Sequence, residues 1–247
     1  MIEQQTKSLI IFDMDNTLIS NNTDYYILEL FKDQSIPKGF ENKYKNLLWG
    51  DYMNNVFYEV EKEGITVDQI KSKVQSISLN KGFSEIIKFI KENKEKFDCI
   101  VVSGANVLFV KWVIEIHDMT DLIHSYYSYP ATISEDGKKI NVKNHHSHNC
   151  SVCEGSQCKS IILKEFLETE KKKNNLTYSK IAYLGDGHND FCPSTLLAES
   201  DYLFPRIDFS LYNYLTKKNK KELLKCKIKP WKSGLDILEV LSNEFSN

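Results

Sequence analysis

The chain has 247 residues, enough for one sizeable core or for a core that carries a smaller inserted domain. Its 41% hydrophobic and 27% charged residues exclude a disordered or fibrous protein, and a formal charge of −2 gives no electrostatic basis for binding nucleic acid or an anionic membrane. Arg206 is the single arginine, which disfavours a surface made for bidentate phosphate or base readout.

No stretch approaches the roughly 18 consecutive apolar residues of a membrane span. Residues 100–116 come nearest, and Ser103, Asn106, Lys111 and Glu115 interrupt them. The start, MIEQQTKSLIIF, carries an acid and a lysine before a very short apolar run and does not read as a secretory signal. Six cysteines are too few for a disulfide scaffold. These features predict a soluble, cytoplasmic protein.

Residues 8–12 read as a short buried strand that stops at Asp13-Met14-Asp15. Residues 20–80 are rich in aromatics and helix formers and hold no convincing strand, so they predict a helical insertion. The plainer alternative is a set of helices packed directly on the sheet. A helix is expected over 84–94, capped by Ser84, with Phe83, Ile86, Ile87 and Ile90 on one face. A strand follows at 97–102 and a helix at 105–117. Asp136-Gly137 between alternating apolar positions marks a β-hairpin over 131–142. A helix over 159–172 leads to strands at 181–184 and 202–204, and the lysine-rich runs 171–173 and 217–229 read as solvated helix faces. Strands alternating with helices imply an α/β fold, a Rossmann-like doubly wound parallel sheet covered on both faces.

In such sheets, ligands bind beyond the carboxyl ends of the strands. The first strand delivers Asp13, Asp15 and Thr17, the second Ser103 followed by Gly104-Ala105-Asn106, and the third GDGHND with Asp186, Asn189 and Asp190. Lys159 opens the helix that feeds the third. Carboxylates crowded in one cleft need a cation, and oxygen-only ligands suit Mg²⁺. Mg²⁺, a lysine and a hydroxyl together suit the spread negative charge of a phosphoryl group in transfer. A carboxylate can attack phosphorus, and a second one two residues on can protonate the leaving alkoxide and then activate water.

DMDNT, SGAN, the lysine of CK and GDGHND together resemble the four motifs of the haloacid dehalogenase superfamily of phosphatases. Longer stretches, among them GDYMNNVFYEV, HSHNCSVCEGSQCK and YLGDGHNDFCPSTLLAESDYLFPR, are similar to the family of phosphoethanolamine/phosphocholine and pyridoxal phosphate phosphatases over nearly the whole chain. The resemblance implies an α/β core over 1–19 and 81–247, with 20–80 as a helical cap. It implies Asp13 as nucleophile and Asp15 as general acid/base. Asp13, the main-chain carbonyl of Asp15 and Asp186 would hold Mg²⁺, with Asp190 nearby, and Ser103 and Lys159 would bind the phosphoryl oxygens. Gly104 stands where that family usually carries Asp, which weakens the expectation of strong selectivity for choline or ethanolamine. Asp24 matches a family Asp after the first motif, and with Tyr25, Tyr26 and Tyr52 it offers a charge and ring faces to a cation. The expected partner is a small phosphorylated metabolite.

His145, His146, His148, Cys150, Cys153 and Cys158 lie just before Lys159. Cys150-x-x-Cys153 has zinc-knuckle spacing, and Cys158 with a histidine would complete four ligands, yet the usual second pair is missing. The spacing therefore favours a structured loop that positions Lys159 over a bound metal. Two rival functions share the acidic cluster: an inorganic pyrophosphatase, and a phospho-aspartate signalling receiver. Asp15 argues against the receiver, because a second carboxyl speeds hydrolysis of the aspartyl-phosphate.

Overall fold

The computed structural model describes residues 7–153 and 155–245. Among them, six strands form one parallel sheet: β1 (Ser8–Phe12), β2 (Phe97–Asn106), β3 (Ile123–Tyr129), β6 (Ile181–Gly185), β7 (Tyr202–Pro205) and β8 (Lys227–Ile228), in the order β3-β2-β1-β6-β7-β8. β4 (Ala131–Ile133) and β5 (Ile140–Val142) pair antiparallel as the expected hairpin. The helices are α1 (Thr23–Tyr26), α2 (Phe40–Tyr44), α3 (Trp49–Lys62), α4 (Val67–Gln75), α5 (Phe83–Glu92), α6 (Val107–Ile116), α7 (Lys159–Lys173), α8 (Phe191–Ser194), α9 (Ser210–Lys217) and α10 (Gly234–Glu244).

From Leu9 to Phe12 the central strand is apolar because both of its faces are covered. Ile10 and Phe12 enter one core with α5, α6 and α10, whereas Leu9 and Ile11 enter a second core with α7 and α9. The first core continues without a break into α3 and α4. There Phe57 meets Phe109 edge-on at 6.0 Å between centroids, and Ile70 and Val74 are buried. Asn54 of α3 also exchanges two 2.6 Å hydrogen bonds with the backbone of Val142, tying the hairpin to that helix.

The chain leaves β1 for the helical segment and returns along adjacent strands. Ile19 and Leu79 form an antiparallel bridge, and the Asn80 amide, buried at this stem, reaches the carbonyls of Asn16, Thr17 and Ile19 at 2.7–3.1 Å.

Several boundaries differ from expectation for local reasons. α5 starts at Phe83 behind Gly82 in a left-handed conformation (φ 85°), while the Ser84 hydroxyl donates to Glu85 instead of capping. The run 217–229 is exposed for the most part but is not one helix, since it breaks after α9 and ends in β8. β3 and β8, at the sheet edges, were not expected. Ile-His-Ser-Tyr-Tyr-Ser-Tyr mixes polar and aromatic residues, and β8 is two residues inside a lysine-rich run. No helix among the described residues is long and apolar enough to cross a membrane.

Candidate active site

The strand order reverses between β1 and its neighbours β2 and β6, so the loops leaving their carboxyl ends diverge and open a crevice. Asp13 sits at its base, with its N–H donated to the Leu184 carbonyl of β6 at 2.9 Å. The chain then makes one wide turn. Asn16 takes a left-handed conformation (φ 55°) and Ile19 N–H bonds the Met14 carbonyl at 3.1 Å. Arg206, beyond β7, donates to the Asn16 carbonyl and stacks over the Phe209 ring at 4.1 Å.

Lys159 Nζ lies buried between two carboxylates, 2.6 Å from Asp13 Oδ1 and 2.7 Å from Asp190 Oδ1. Burial pulls its ammonium down, but Asp13 and Asp190 outweigh that and hold it above the ordinary lysine range. Asp190 is fixed further by the Tyr183 hydroxyl at 2.8 Å and by Gly187 N–H at 3.0 Å. Only glycine fits at position 185, because a Cβ there would come within 2.6 Å of the Asp190 carboxylate. Thr17 Oγ1 bridges Asp13 (3.3 Å) and Asp186 (3.4 Å).

Oxygens of Asp13, Asp186 and Asp190 all lie within 4.8 Å of one another. Burial, then Asp13 and Asp190, push Asp186 up to about 9, and burial pushes Asp190 up to about 6 against the pull of Lys159. A buried set of oxygen donors that resists ionisation on its own fits a hard divalent cation, whose charge reverses those shifts.

The Asp15 side chain is not part of this trio. It accepts from Thr23 N–H at 3.0 Å and from the Thr23 hydroxyl at 3.2 Å. Burial first, then Asp24, raise it well above the carboxylate range, against the hydrogen bond from Thr23 N–H. A carboxyl that keeps its proton is suited to donate one.

Ser103 is fully buried, and its Oγ accepts from Ala105 N–H at 3.0 Å, which leaves its own hydrogen free to donate. The cleft wall at this strand end is Gly104. The cleft encloses about 500 Å³, within the range of small-molecule sites, and Asp13, Asp15, Asp24, Tyr25 and Trp49 line it further. Of the four residues expected to face a cation, Asp24 and Tyr25 do line it. Tyr26 instead lies under Lys73 at 3.8 Å, and Tyr52 stacks on Trp49 at 5.4 Å. Trp49, Tyr129 and Gln157 also line the cleft and were not singled out in the sequence, because no spacing marks a residue brought in from a distant helix or loop.

Burial pushes Asp24 up to about 7, partly opposed by a hydrogen bond from the Trp49 side chain. The folded state therefore holds a proton that the unfolded chain has released, and stability falls as pH rises from about 4 to 7. Asp24→Asn removes that penalty. Its Tm should match the parent near pH 4 and exceed it at pH 8 by roughly 5–15 °C, on the order of 2–4 kcal/mol. Equal Tm values at pH 8 in thermal scans would contradict a buried, ionising Asp24.

The family model described as Putative Phosphatase matches residues 8–245. A pyridoxal phosphate phosphatase of Mus musculus is 35% identical over 95% of this chain and 97% of its own length. A phosphoethanolamine/phosphocholine phosphatase of Gallus gallus is 27% identical over 95% of this chain and 88% of its own. A solved phospho-aspartyl intermediate analogue of phosphoserine phosphatase superposes with a TM-score of 0.55 at 18% identity, covering 96% of this chain and 98% of that one.

Proposed function

The chain belongs to the Putative Phosphatase family, of haloacid dehalogenase type, and is a phosphoric monoester hydrolase; on that premise we propose that Asp13 attacks the phosphorus of a small phosphomonoester. The observation that carries this reading is the placement of Asp13 at the base of the cleft, held by Lys159 and Thr17 beside Asp186 and Asp190.

Asp13 forms an aspartyl-phosphate as the ester oxygen leaves. Asp15, kept protonated by its surroundings, gives its proton to that oxygen and then, as a carboxylate, takes one from the water that hydrolyses the intermediate. Lys159 offsets charge on Asp13 and the phosphoryl group, and the Ser103 hydroxyl donates to a phosphoryl oxygen. Mg²⁺ is the ion that Asp13, Asp186 and the Asp15 carbonyl would hold, with Asp190 beside them, and it would supply charge neutralisation for the phosphoryl oxygens. Residues 20–80 act as the cap over the core of 1–19 and 81–247, of which 1–6, 154, 246 and 247 lie outside the described residues, with Asp24, Tyr25 and Trp49 facing the leaving group. Family membership sets aside the receiver alternative. The six unpaired cysteines fit a reducing compartment, the cytoplasm.

Pyridoxal 5′-phosphate is the favoured substrate, and phosphoethanolamine or phosphocholine the second. An aromatic ring suits a wall of Tyr25 and Trp49, and Gly104 leaves space where a carboxylate would face an amine. A Cβ added at Gly104 meets only the Asn189 amide, at 3.7 Å, so Gly104→Asp should fold normally. Purified enzyme with Mg²⁺, assayed against pyridoxal 5′-phosphate, phosphoethanolamine, phosphocholine, phosphoserine and pyrophosphate, should turn over the first fastest by kcat/KM. Gly104→Asp should shift the ratio toward the amine headgroups by about 10-fold, one charge–charge interaction in a partly wet site. A preference for pyrophosphate would overturn the monoester reading, and an unchanged ratio would remove Gly104 from the specificity argument.

A further inference from the structure

Cys150, Cys153, Cys158 and Cys192 bring their four sulfurs within 4.8 Å of one another. Cys192 Sγ lies 3.5 Å from Cys150 Sγ and 3.7 Å from Cys158 Sγ. Four thiolates placed tetrahedrally at the Zn–S bond length of about 2.3 Å are ~3.8 Å apart, whereas a disulfide brings two sulfurs to about 2.05 Å. The 3.5 and 3.7 Å separations are those of ligands around one ion, the others stay within 4.8 Å, and none of the four is in a disulfide.

The surroundings of the sulfurs point the same way. Val152 N–H is directed at Cys150 Sγ at 3.4 Å. A donor aimed at sulfur orients a thiolate, as the groups around a metal's ligands do. The spacing favours a structured loop over a metal, with a histidine as the candidate fourth ligand, and two of the histidines serve the backbone instead. His148 Nδ1 accepts from Cys150 N–H at 3.1 Å, and His146 Nε2 from Cys158 N–H at 3.0 Å. Both hold a cysteine-bearing turn in place.

We propose that Cys150, Cys153, Cys158 and Cys192 bind one structural Zn²⁺ through ligands distinct from the carboxylate set, with Cys153 also bordering the cleft. Four protein sulfurs leave no open position for a substrate or water, so the ion is not catalytic. Its place in the chain gives it an architectural effect. Cys158 directly precedes Lys159, and Cys192 lies two residues beyond Asp190, so the ion joins the loop before α7 to α8 at the two points that grip the buried Lys159–Asp190 pair. Binding requires loss of the thiol protons, with four thiolates facing a dipositive ion. The site stands on the sulfur geometry alone and does not depend on which phosphomonoester the enzyme takes.

Protein purified from zinc-containing medium without chelator should carry about one zinc per chain by inductively coupled plasma mass spectrometry, and Cys192→Ser should carry almost none. Asp186→Asn should keep its zinc, which separates this site from the carboxylate cluster. Stripping zinc with a chelator should lower Tm by roughly 10 °C, reversibly on adding Zn²⁺ back. Where Cys192→Ser fails to fold, wild-type protein stripped and reloaded with Co²⁺ keeps the question answerable. It should show the visible bands of tetrahedral cobalt and a near-ultraviolet thiolate-to-cobalt charge-transfer band. Wild-type protein without zinc, protein with a disulfide among these cysteines or with iron in zinc's place, zinc retained by folded Cys192→Ser, or octahedral cobalt spectra would each overturn the proposal.

Discussion

Asp13→Asn should lower kcat by at least about 10⁴-fold while leaving the protein folded, because it removes the group that bonds to phosphorus. The fold should survive, since Lys159 keeps its 2.7 Å contact with Asp190 and the amide can still meet the Thr17 hydroxyl. Losing one carboxylate also eases the crowding that pushes Asp186 up. The measurement is single-turnover kinetics with phosphate-labelled substrate and acid quenching. Wild-type enzyme should hold label on protein early in the reaction, and the variant none. Asp15→Asn is the informative companion. It leaves the nucleophile but removes the proton carrier of both steps, so label should appear on the protein more slowly than in wild type and leave it more slowly too. Turnover by Asp13→Asn within 10²-fold of wild type would sink the covalent mechanism.

Lys159→Met should be the most destabilising change at the site. The ammonium is buried between Asp13 and Asp190, and removing it leaves two carboxylates in a dry pocket with only hydroxyl and amide donors. Breaking a buried ion pair from one side typically costs about 3–5 kcal/mol, which is roughly a 10 °C fall in Tm for a chain of this size. Catalysis should fall by about 10³-fold, the scale of losing a charge-stabilising donor. The two effects separate experimentally. In chemical denaturation with EDTA the full loss should appear, and with saturating Mg²⁺ much of it should return, because the ion replaces positive charge beside Asp13. The rate defect should persist at saturating Mg²⁺, since on the proposed mechanism the lysine also offsets charge on the phosphoryl group. Stability equal to wild type in EDTA would mean that the carboxylates do not depend on Lys159.

The reactive groups were legible because they fall at the ends of strands whose patterns are plain. Leu9–Phe12 and Ile181–Leu184 are continuous apolar runs, and a chain that leaves such a strand must place the following residues at the sheet's rim. Asp13, Asp186 and, through α7, Lys159 therefore follow from local order. The edge strands β3 and β8 were not legible, because a half-covered strand needs neither apolar continuity nor strict alternation.

Residues that act from far along the chain carry no such mark. Cys192 looks like an ordinary small apolar residue in Phe-Cys-Pro, and the Cys150–Cys158 segment alone is one ligand short without a histidine. Only the return of the chain through β6 sets its sulfur 3.5 Å from Cys150. Trp49 and Tyr52 share one helix, and nothing in their order says which faces the cleft. That follows from how α3 packs on α6 and on the β4–β5 hairpin. Motif order and strand periodicity are short-range properties, so the amino-acid order carried the reactive groups and the parallel sheet. The ring faces of the leaving-group wall and the fourth sulfur of the thiol cluster depend on contacts across 34 or more residues of chain, and these exist only once both cores have closed.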